Sequence, residues 1–301
     1  MQDKIDNLKE GMFKAGYICD DRTATVLYLS EALHKPILVE GPAGVGKTGV
    51  AQAFSAMKNL PLVRLQCYEG IDESKALYEW NYKRQLLHIQ AVGNQNIDPR
   101  EVEQDIFSEQ YLLRRPLLQA ISSSLPSVLL IDEIDKVDFE FEAMLLELLS
   151  EFQMSIPELG TVKAVHIPYV FLTSNATREL SEALKRRCLY LHLNFPTLAL
   201  EEQILRLKVP GLTDHLAGKI ATVAHRIRQV DLKKAPSIAE TIDWAMAIIQ
   251  LGLDDLNEAV TLQTLNVLVK HREDLEKLEG MIYARNDLSF QPRPVVDNRA
   301  W

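Results

Sequence analysis

Residues 36–48, PILVEGPAGVGKT, constrain this chain more than any other stretch. An apolar run, Ile37-Leu38-Val39, leads into Gly41-Pro42-Ala43-Gly44-Val45-Gly46-Lys47-Thr48 and then into residues that favour helix. This is G-x-x-x-x-G-K-[ST] in the strand-loop-helix setting that gives the pattern its meaning. Its glycines let the loop turn tightly and bring backbone N–H groups against phosphate oxygens, at the positive end of the following helix. Lys47 is placed to reach the β- and γ-phosphates, and the Thr48 hydroxyl to hold Mg²⁺. The chain is expected to bind a nucleoside triphosphate.

The segments that follow read as a parallel sheet. A second buried strand over 61–66 completes a β-α-β unit. A third, over 127–131, ends in Asp132-Glu133, at the carboxyl end of a strand where such sheets bind ligands. Asp132 suits the hydration shell of the metal, and Glu133 the polarising of an attacking water. A strand over 169–173 ends at Ser174-Asn175. Asn175 is either offered at the same edge as Asp132 or caps a helix over 176–184. That helix would close on Leu184-Lys185-Arg186-Arg187-Cys188, whose cations suit a helix C-terminus; alternatively an Arg there reaches a neighbouring subunit's γ-phosphate. Residues 189–193 supply a fifth strand.

Around this frame, residues 1–20 predict a lead-in helix and a turn. A helix over 21–33 is expected to set Val26, Leu29 and Leu33 against the first strand. A long insert, about 67–126, has a helix start at Asp98-Pro99-Arg100-Glu101. Its Tyr78, Trp80 and Tyr82 beside Lys83 and Arg84 read as helix-core packing or as a stacking surface for nucleic acid, a candidate partner contact. A helix over 138–152 turns Met144, Leu145, Leu148, Leu149 and Phe152 inward, and 153–168 forms a hairpin about Leu159-Gly160. Asn194-Phe195-Pro196 reads as a linker to an all-helical part, with helices near 198–208, 213–229, 237–251 and 257–278. Residues 279–301 read as a flexible or docking tail.

Composition bounds the partners. The 301 residues are 47% hydrophobic, ample for a core, and the net charge of −9 argues against nucleic acid and anionic membrane surfaces. No export signal or long apolar run stands out, so a cytoplasmic protein without membrane insertion is expected. Cys19, Cys67 and Cys188 are widely spaced and read as reduced thiols, and no histidine spacing suggests a transition-metal site.

Together GPAGVGKT, VLLIDE, TSNAT and LKRRC, followed by a helical part, resemble an AAA+ ATPase over about residues 20–278. The resemblance implies a P-loop α/β domain (21–195) with a five-stranded parallel sheet flanked by helices, then a small all-helical lid (196–278). It makes Gly41 to Thr48 the Walker A loop and Asp132-Glu133 the Walker B pair, with Asn175 the sensor that holds the attacking water. Arg187, with Arg186 as the near alternative, corresponds to a finger acting on the next subunit's ATP. The long insert and the hairpin resemble the MoxR branch. ALYEWNYKRQLLHIQ (76–90), VDLKKAPSIAETIDWA (230–245) and NFPTLALEEQIL (194–205) resemble its CoxD-like subgroup, accessory ATPases of carbon monoxide dehydrogenase maturation. That likeness implies ATP and Mg²⁺, a homo-oligomeric, usually hexameric ring, a von Willebrand factor A partner and a molybdenum-containing dehydrogenase as metalloenzyme client. One departure stands out: Ile238 lies where many relatives carry a lid arginine, with Lys233 or Lys234 as possible substitutes. Two other readings remain open at this point, a clamp-loader or helicase-like ATPase acting on nucleic acid, and a nucleotide-gated scaffold with negligible turnover.

Overall fold

Strands that are apolar at successive positions must be covered on both faces. The computed structural model describes residues 2–92, 102, 105–157 and 159–284, and the three interior strands of its main sheet are of this kind. The chain divides into two compact units, Met1–Phe195 and Pro196–Trp301.

In the first unit, helix α1 (Gln2–Lys14) buries Ile5, Leu8 and Met12, and α2 (Asp21–Leu33) leads to β1 (Ile37–Glu40). Helix α3 (Lys47–Lys58) and β2 (Leu62–Gln66) complete the β-α-β unit. The remaining sheet strands are β5 (Val128–Asp132), β8 (Tyr169–Ser174) and β9 (Leu189–His192), in the order β2-β5-β8-β1-β9 with every pairing parallel. Their side chains alternate between two cores. Ile37, Val39, Val128, Leu130 and Phe171 face a cluster with α1, α2 and α3, while Leu38, Leu129, Ile131 and Leu172 face the other, with α6 (Pro116–Ile121) and α7 (Phe139–Glu151). Helix α2 corrects the expected face: Thr23, Ala24, Leu27 and Ser30 are buried and Leu33 is 55% exposed. Its apolar residues surround the helix, so spacing alone does not choose the side that packs.

The insert holds α4 (Glu73–Ala76), α5 (Tyr82–Val92) and a two-stranded antiparallel ladder of β3 (Tyr78–Trp80) and β4 (Leu112–Arg114). The three aromatics therefore form neither a helix stripe nor one surface. Trp80 is buried edge-on between Tyr78 and Phe107, whereas Tyr82 points to solvent. The helix start expected at 98–101 lies outside the described residues. The hairpin forms as expected, with β6 (Gln153–Ile156) against β7 (Gly160–Lys163), and Gly160 takes φ 78° in its turn.

The helix expected over 176–184 does not form there. Ala176 has φ 56°, and the N–H groups of Asn175, Thr177 and Ser181 go to the carboxylates of Asp135 and Glu142 instead of to helical carbonyls. Helix is confined to α8 (Glu182–Lys185), capped by Ser181.

The second unit comprises α9 (Leu198–Lys208), α10 (Asp214–Arg228), α11 (Ile238–Gln250), α12 (Glu258–Leu268) and α13 (Arg272–Ala284). These pack around the fully buried Trp244, whose Nε1–H donates to Thr264 Oγ1 at 2.7 Å. Ser237 and Glu240 close a reciprocal capping box that starts α11. The helix expected over 257–278 is two helices. Val269 is extended and buried, and Lys270 Nζ donates to the exposed carbonyl of Val267 at 2.7 Å, ending α12 before α13 begins. Helix α13 then runs past 278 to Ala284, six residues into the span read as tail, and 285–301 lie outside the described residues.

Within this unit Arg228 and Glu201 form a buried, bidentate ion pair, Nη1 to Oε2 at 2.5 Å and Nη2 to Oε1 at 2.7 Å. Arg228 also donates to Pro236 O and to Thr241 Oγ1, so one guanidinium joins α9 and α10 to the start of α11.

Candidate nucleotide-binding site

Strand β1 lies inside the sheet, between β8 and β9, so the loop leaving its carboxyl end rises from the middle of the sheet edge. Gly41 could carry no side chain, because a Cβ there would lie 2.1 Å from the carbonyl oxygen of Leu193. Pro42, Ala43 and Gly44 arch into solvent, followed by the half-buried Val45. Gly46, at φ 98°, caps α3 in the left-handed region that favours glycine. A ring edge of Tyr17 supports the helix start, within 3.7 Å of where a Cβ on Gly46 or Gly49 would stand.

Beneath the arch, Lys47 is 7% exposed. Its Nζ donates to Gly41 O at 2.7 Å, Pro42 O at 2.8 Å and Asn175 Oδ1 at 2.7 Å. Burial lowers the pKa of this ammonium, opposed by the carboxylates of Asp135, Asp132, Glu133 and Glu40. Thr48 Oγ1 lies 3.1 and 3.4 Å from the two oxygens of Asp132. The buried Asp132 also accepts from Thr173 Oγ1 and from Nε and Nη2 of Arg64. One carboxylate and one hydroxyl at this edge form the hard oxygen set that suits Mg²⁺, an ion that keeps waters and takes phosphate oxygens as its other ligands.

Glu133 follows Asp132 in a left-handed conformation, φ 58°, which costs on the order of 1–3 kcal/mol for a residue with a side chain. Its N–H donates to Thr173 Oγ1 at 2.9 Å, so the same threonine fixes both members of the acidic pair. The structure thus brings together Lys47, Thr48, Asp132, Glu133 and Asn175.

Arg186 and Arg187 are not part of that cluster. They precede β9, which runs parallel to β1, and so stand at the amino end of the sheet, about 13 Å of strand away from the loop edge. Arg187 is folded onto its own chain, donating to Ser150 Oγ and to Ala183 O, whereas Arg186 is exposed and makes no side-chain hydrogen bond among the described residues. In the helical unit Ile238 is buried at the start of α11, and Lys233 and Lys234 pair with Glu273 and Glu240.

Two residues escaped the sequence reading. Asp135, 3% exposed, accepts the N–H groups of Asn175 and Thr177 and the Thr177 hydroxyl. Burial works to raise its pKa, but these hydrogen bonds outweigh it and hold the carboxyl below the usual range. Arg64 grips Asp132 from the edge strand β2. The period-two alternation of PLVRLQ, which puts Arg64 and Gln66 on one face, was its available signal.

A parallel sheet with a glycine-rich loop on an interior strand, a buried lysine and an acidic pair on a nearby strand defines a P-loop nucleotide hydrolase. The family description "AAA domain (dynein-related subfamily)" matches residues 36–188, half of the chain, and the chain belongs to that family. It is an ATP hydrolase of the AAA+ class, whose members bind nucleotide, typically with Mg²⁺, and commonly assemble as rings. Similar proteins include an uncharacterised protein of Staphylococcus haemolyticus, 23% identical over 258 residues, 82% of this chain and 86% of that one. Another, from a bovine strain of Staphylococcus aureus, is 25% identical over 274 residues, 86% of this chain and 92% of the relative. Among solved structures, the RuvB Holliday junction branch migration motor of Thermotoga maritima superposes with a TM-score of 0.47 at 19% identity, covering 89% of this chain and 71% of the motor. Among the described residues no helix is long and apolar enough to cross a membrane.

Proposed function

We propose that this chain is a MoxR-type ATPase that hydrolyses ATP between the subunits of a ring and uses the cycle to remodel a client protein. The observation that carries the chemistry is the convergence of Lys47 and Asn175, 128 residues apart, at 2.7 Å, beside Thr48 and Asp132, 84 residues apart, at 3.1 Å. Lys47 and the loop N–H groups of Gly41 to Thr48 hold the phosphates. Thr48 and Asp132 hold Mg²⁺, which supplies neutralisation of the charge on the β- and γ-phosphoryl oxygens. Glu133 polarises the attacking water, and Asn175 orients it. Such catalysis is positioning plus electrostatics. Glu133→Gln is expected to bind ATP and to turn over at least about tenfold more slowly, a barrier increase of about 1.4 kcal/mol. Near-normal turnover would remove Glu133 from this role.

The distance of Arg186 and Arg187 from their own chain's loop supports a finger that serves the next subunit, a contribution of about 10³-fold or more in rate. Arg186 is available as it stands, and Arg187 can serve by leaving Ser150 and Ala183. Hydrolysis per subunit is expected to climb with protein concentration and then saturate. Mixing an inactive Arg186→Ala/Arg187→Ala chain with an inactive Lys47→Ala chain should restore activity, since some interfaces then hold one intact copy of each part. A monomer with a flat rate, or mixtures that stay inactive, would reject the interface site.

The client reading rests on the resemblance of 76–90, 194–205 and 230–245 to CoxD-like accessory ATPases. It names a von Willebrand factor A protein as partner and a molybdenum-containing dehydrogenase as client, in the cytoplasm. Cells lacking this chain should then accumulate that dehydrogenase without its complete metal centre. Full metal content and activity there would reject the client.

A further inference from the structure

Asp135 lies in the short helical turn after Glu133, with its side chain turned toward the segment that leaves β8. Its Oδ1 accepts the N–H of Asn175 at 3.2 Å, and its Oδ2 accepts the N–H of Thr177 at 3.1 Å and the Thr177 hydroxyl at 2.5 Å. Between them Ala176, in the left-handed region, gives its N–H to Ser174 Oγ at 2.9 Å. Three successive N–H groups are therefore held by side chains, and Asp135 holds the outer two. Without those acceptors an alanine has little reason to stay left-handed, and the segment would relax. The far end of the same segment is the Asn175 carboxamide, which meets Lys47 at 2.7 Å.

The geometry points to Asp135 as a positioning residue for hydrolysis: it grips the backbone on both sides of Ala176 and so sets the Asn175 carboxamide against Lys47 and the attacking water. It touches neither nucleotide nor metal in this role. The inference rests on the reading of Asn175 given above. A purely structural staple would have the same contacts but would lower stability alone, leaving the rate of the folded enzyme unchanged.

The test uses the full chain. Asp135→Asn keeps the shape but sets an NH₂ group against an N–H donor, so one grip is lost. Turnover is expected to fall about ten- to a hundredfold, the scale of a displaced catalytic group, while KM for ATP stays within about threefold. Backbone hydrogen exchange over residues 174–178 should quicken in Asp135→Asn and not in Glu133→Gln. Exchange is read without ATP, so the grip is tested independently of turnover. In the double variant with Asn175→Ala, the rate should be no lower than in Asn175→Ala alone, because Asp135 acts through that residue. Losses that multiply, an unchanged kcat in Asp135→Asn, or unchanged exchange would each overturn the inference. Multiplied losses reject Asp135 alone and leave Asn175 in place, whereas full turnover in Asn175→Ala removes the reading of Asn175 and this inference with it. Should Asp135→Asn fail to fold, Thr177→Val removes one donor to the same oxygen. A fall in kcat of about twofold or more with faster exchange is then expected, and no change in either overturns the inference.

Discussion

Each unit of this protein buries charge, but the two units use it differently. In the helical unit the buried Arg228 and Glu201 pair at contact, and Arg228 also donates to Pro236 O and Thr241 Oγ1. Each charge there is met directly by its opposite. In the α/β unit Lys47 is held by two carbonyls and an amide oxygen, with no direct carboxylate partner among its hydrogen bonds, while four carboxylates pull on it from a distance. Its charge is stabilised without being neutralised at contact. The first arrangement fixes a fold, and the second keeps a cation ready for an anion.

That contrast can be broken at its strongest point. Arg228→Ala leaves Glu201 buried and unpaired, and is expected to cost about 3–5 kcal/mol, read by chemical denaturation of the full chain. Replacing both partners with apolar residues, Arg228→Met with Glu201→Leu, should recover most of that loss. A double variant as unstable as the single one would mean that the pair itself, beyond the unpaired charge, holds the unit. Lys47→Ala should behave in the opposite way, losing about 10²–10³-fold in turnover, or about 2.7–4 kcal/mol of barrier, with little loss of stability. A large fall in its melting temperature would blur the distinction. The smallest effect belongs to Asp135, which sits between the two cases. Its folded pKa lies below the ordinary 3.8, so its carboxylate adds stability that is fully present above that value and is lost as pH falls through the lower folded value. The stability gap between the native chain and Asp135→Asn should therefore narrow below about pH 3.8, and a gap independent of pH would show that the charge is not what matters.

Much of this was legible because each sheet strand announces itself locally. VLLID and YVFLT are apolar runs that must lie between layers, and the loop after β1 carries its chemistry in consecutive residues. Legibility failed where a partner is remote in sequence. Glu201 and Arg228 belong to different helices and each reads as an ordinary surface charge. Core packing was one reading of Trp80 and is what it does, but the ladder of β3 and β4, which joins Tyr78 to Arg114 across the insert, left its strand setting and the exposure of Tyr82 unreadable. Asp135 failed differently: it stands three residues after Asp132, but its role depends on a left-handed Ala176 that no propensity would favour. A segment held by side-chain acceptors reads, in sequence, as the start of a helix.

The position of β1 in the sheet also bears on how the protein is made. Its hydrogen-bonding neighbours are β8 and β9, with Ile37 opposite Phe171 and Leu189. The strand that carries the nucleotide loop is thus synthesised well before either of the strands it pairs with. At about 5–20 residues per second, roughly 8–31 s of synthesis separate Ile37 from His192. Until then Gly41 lacks the Leu193 carbonyl it packs against, and Lys47 lacks Asn175 until residue 175 is made. The cluster of Lys47, Thr48, Asp132 and Asn175 exists only once the strands that carry it have come together.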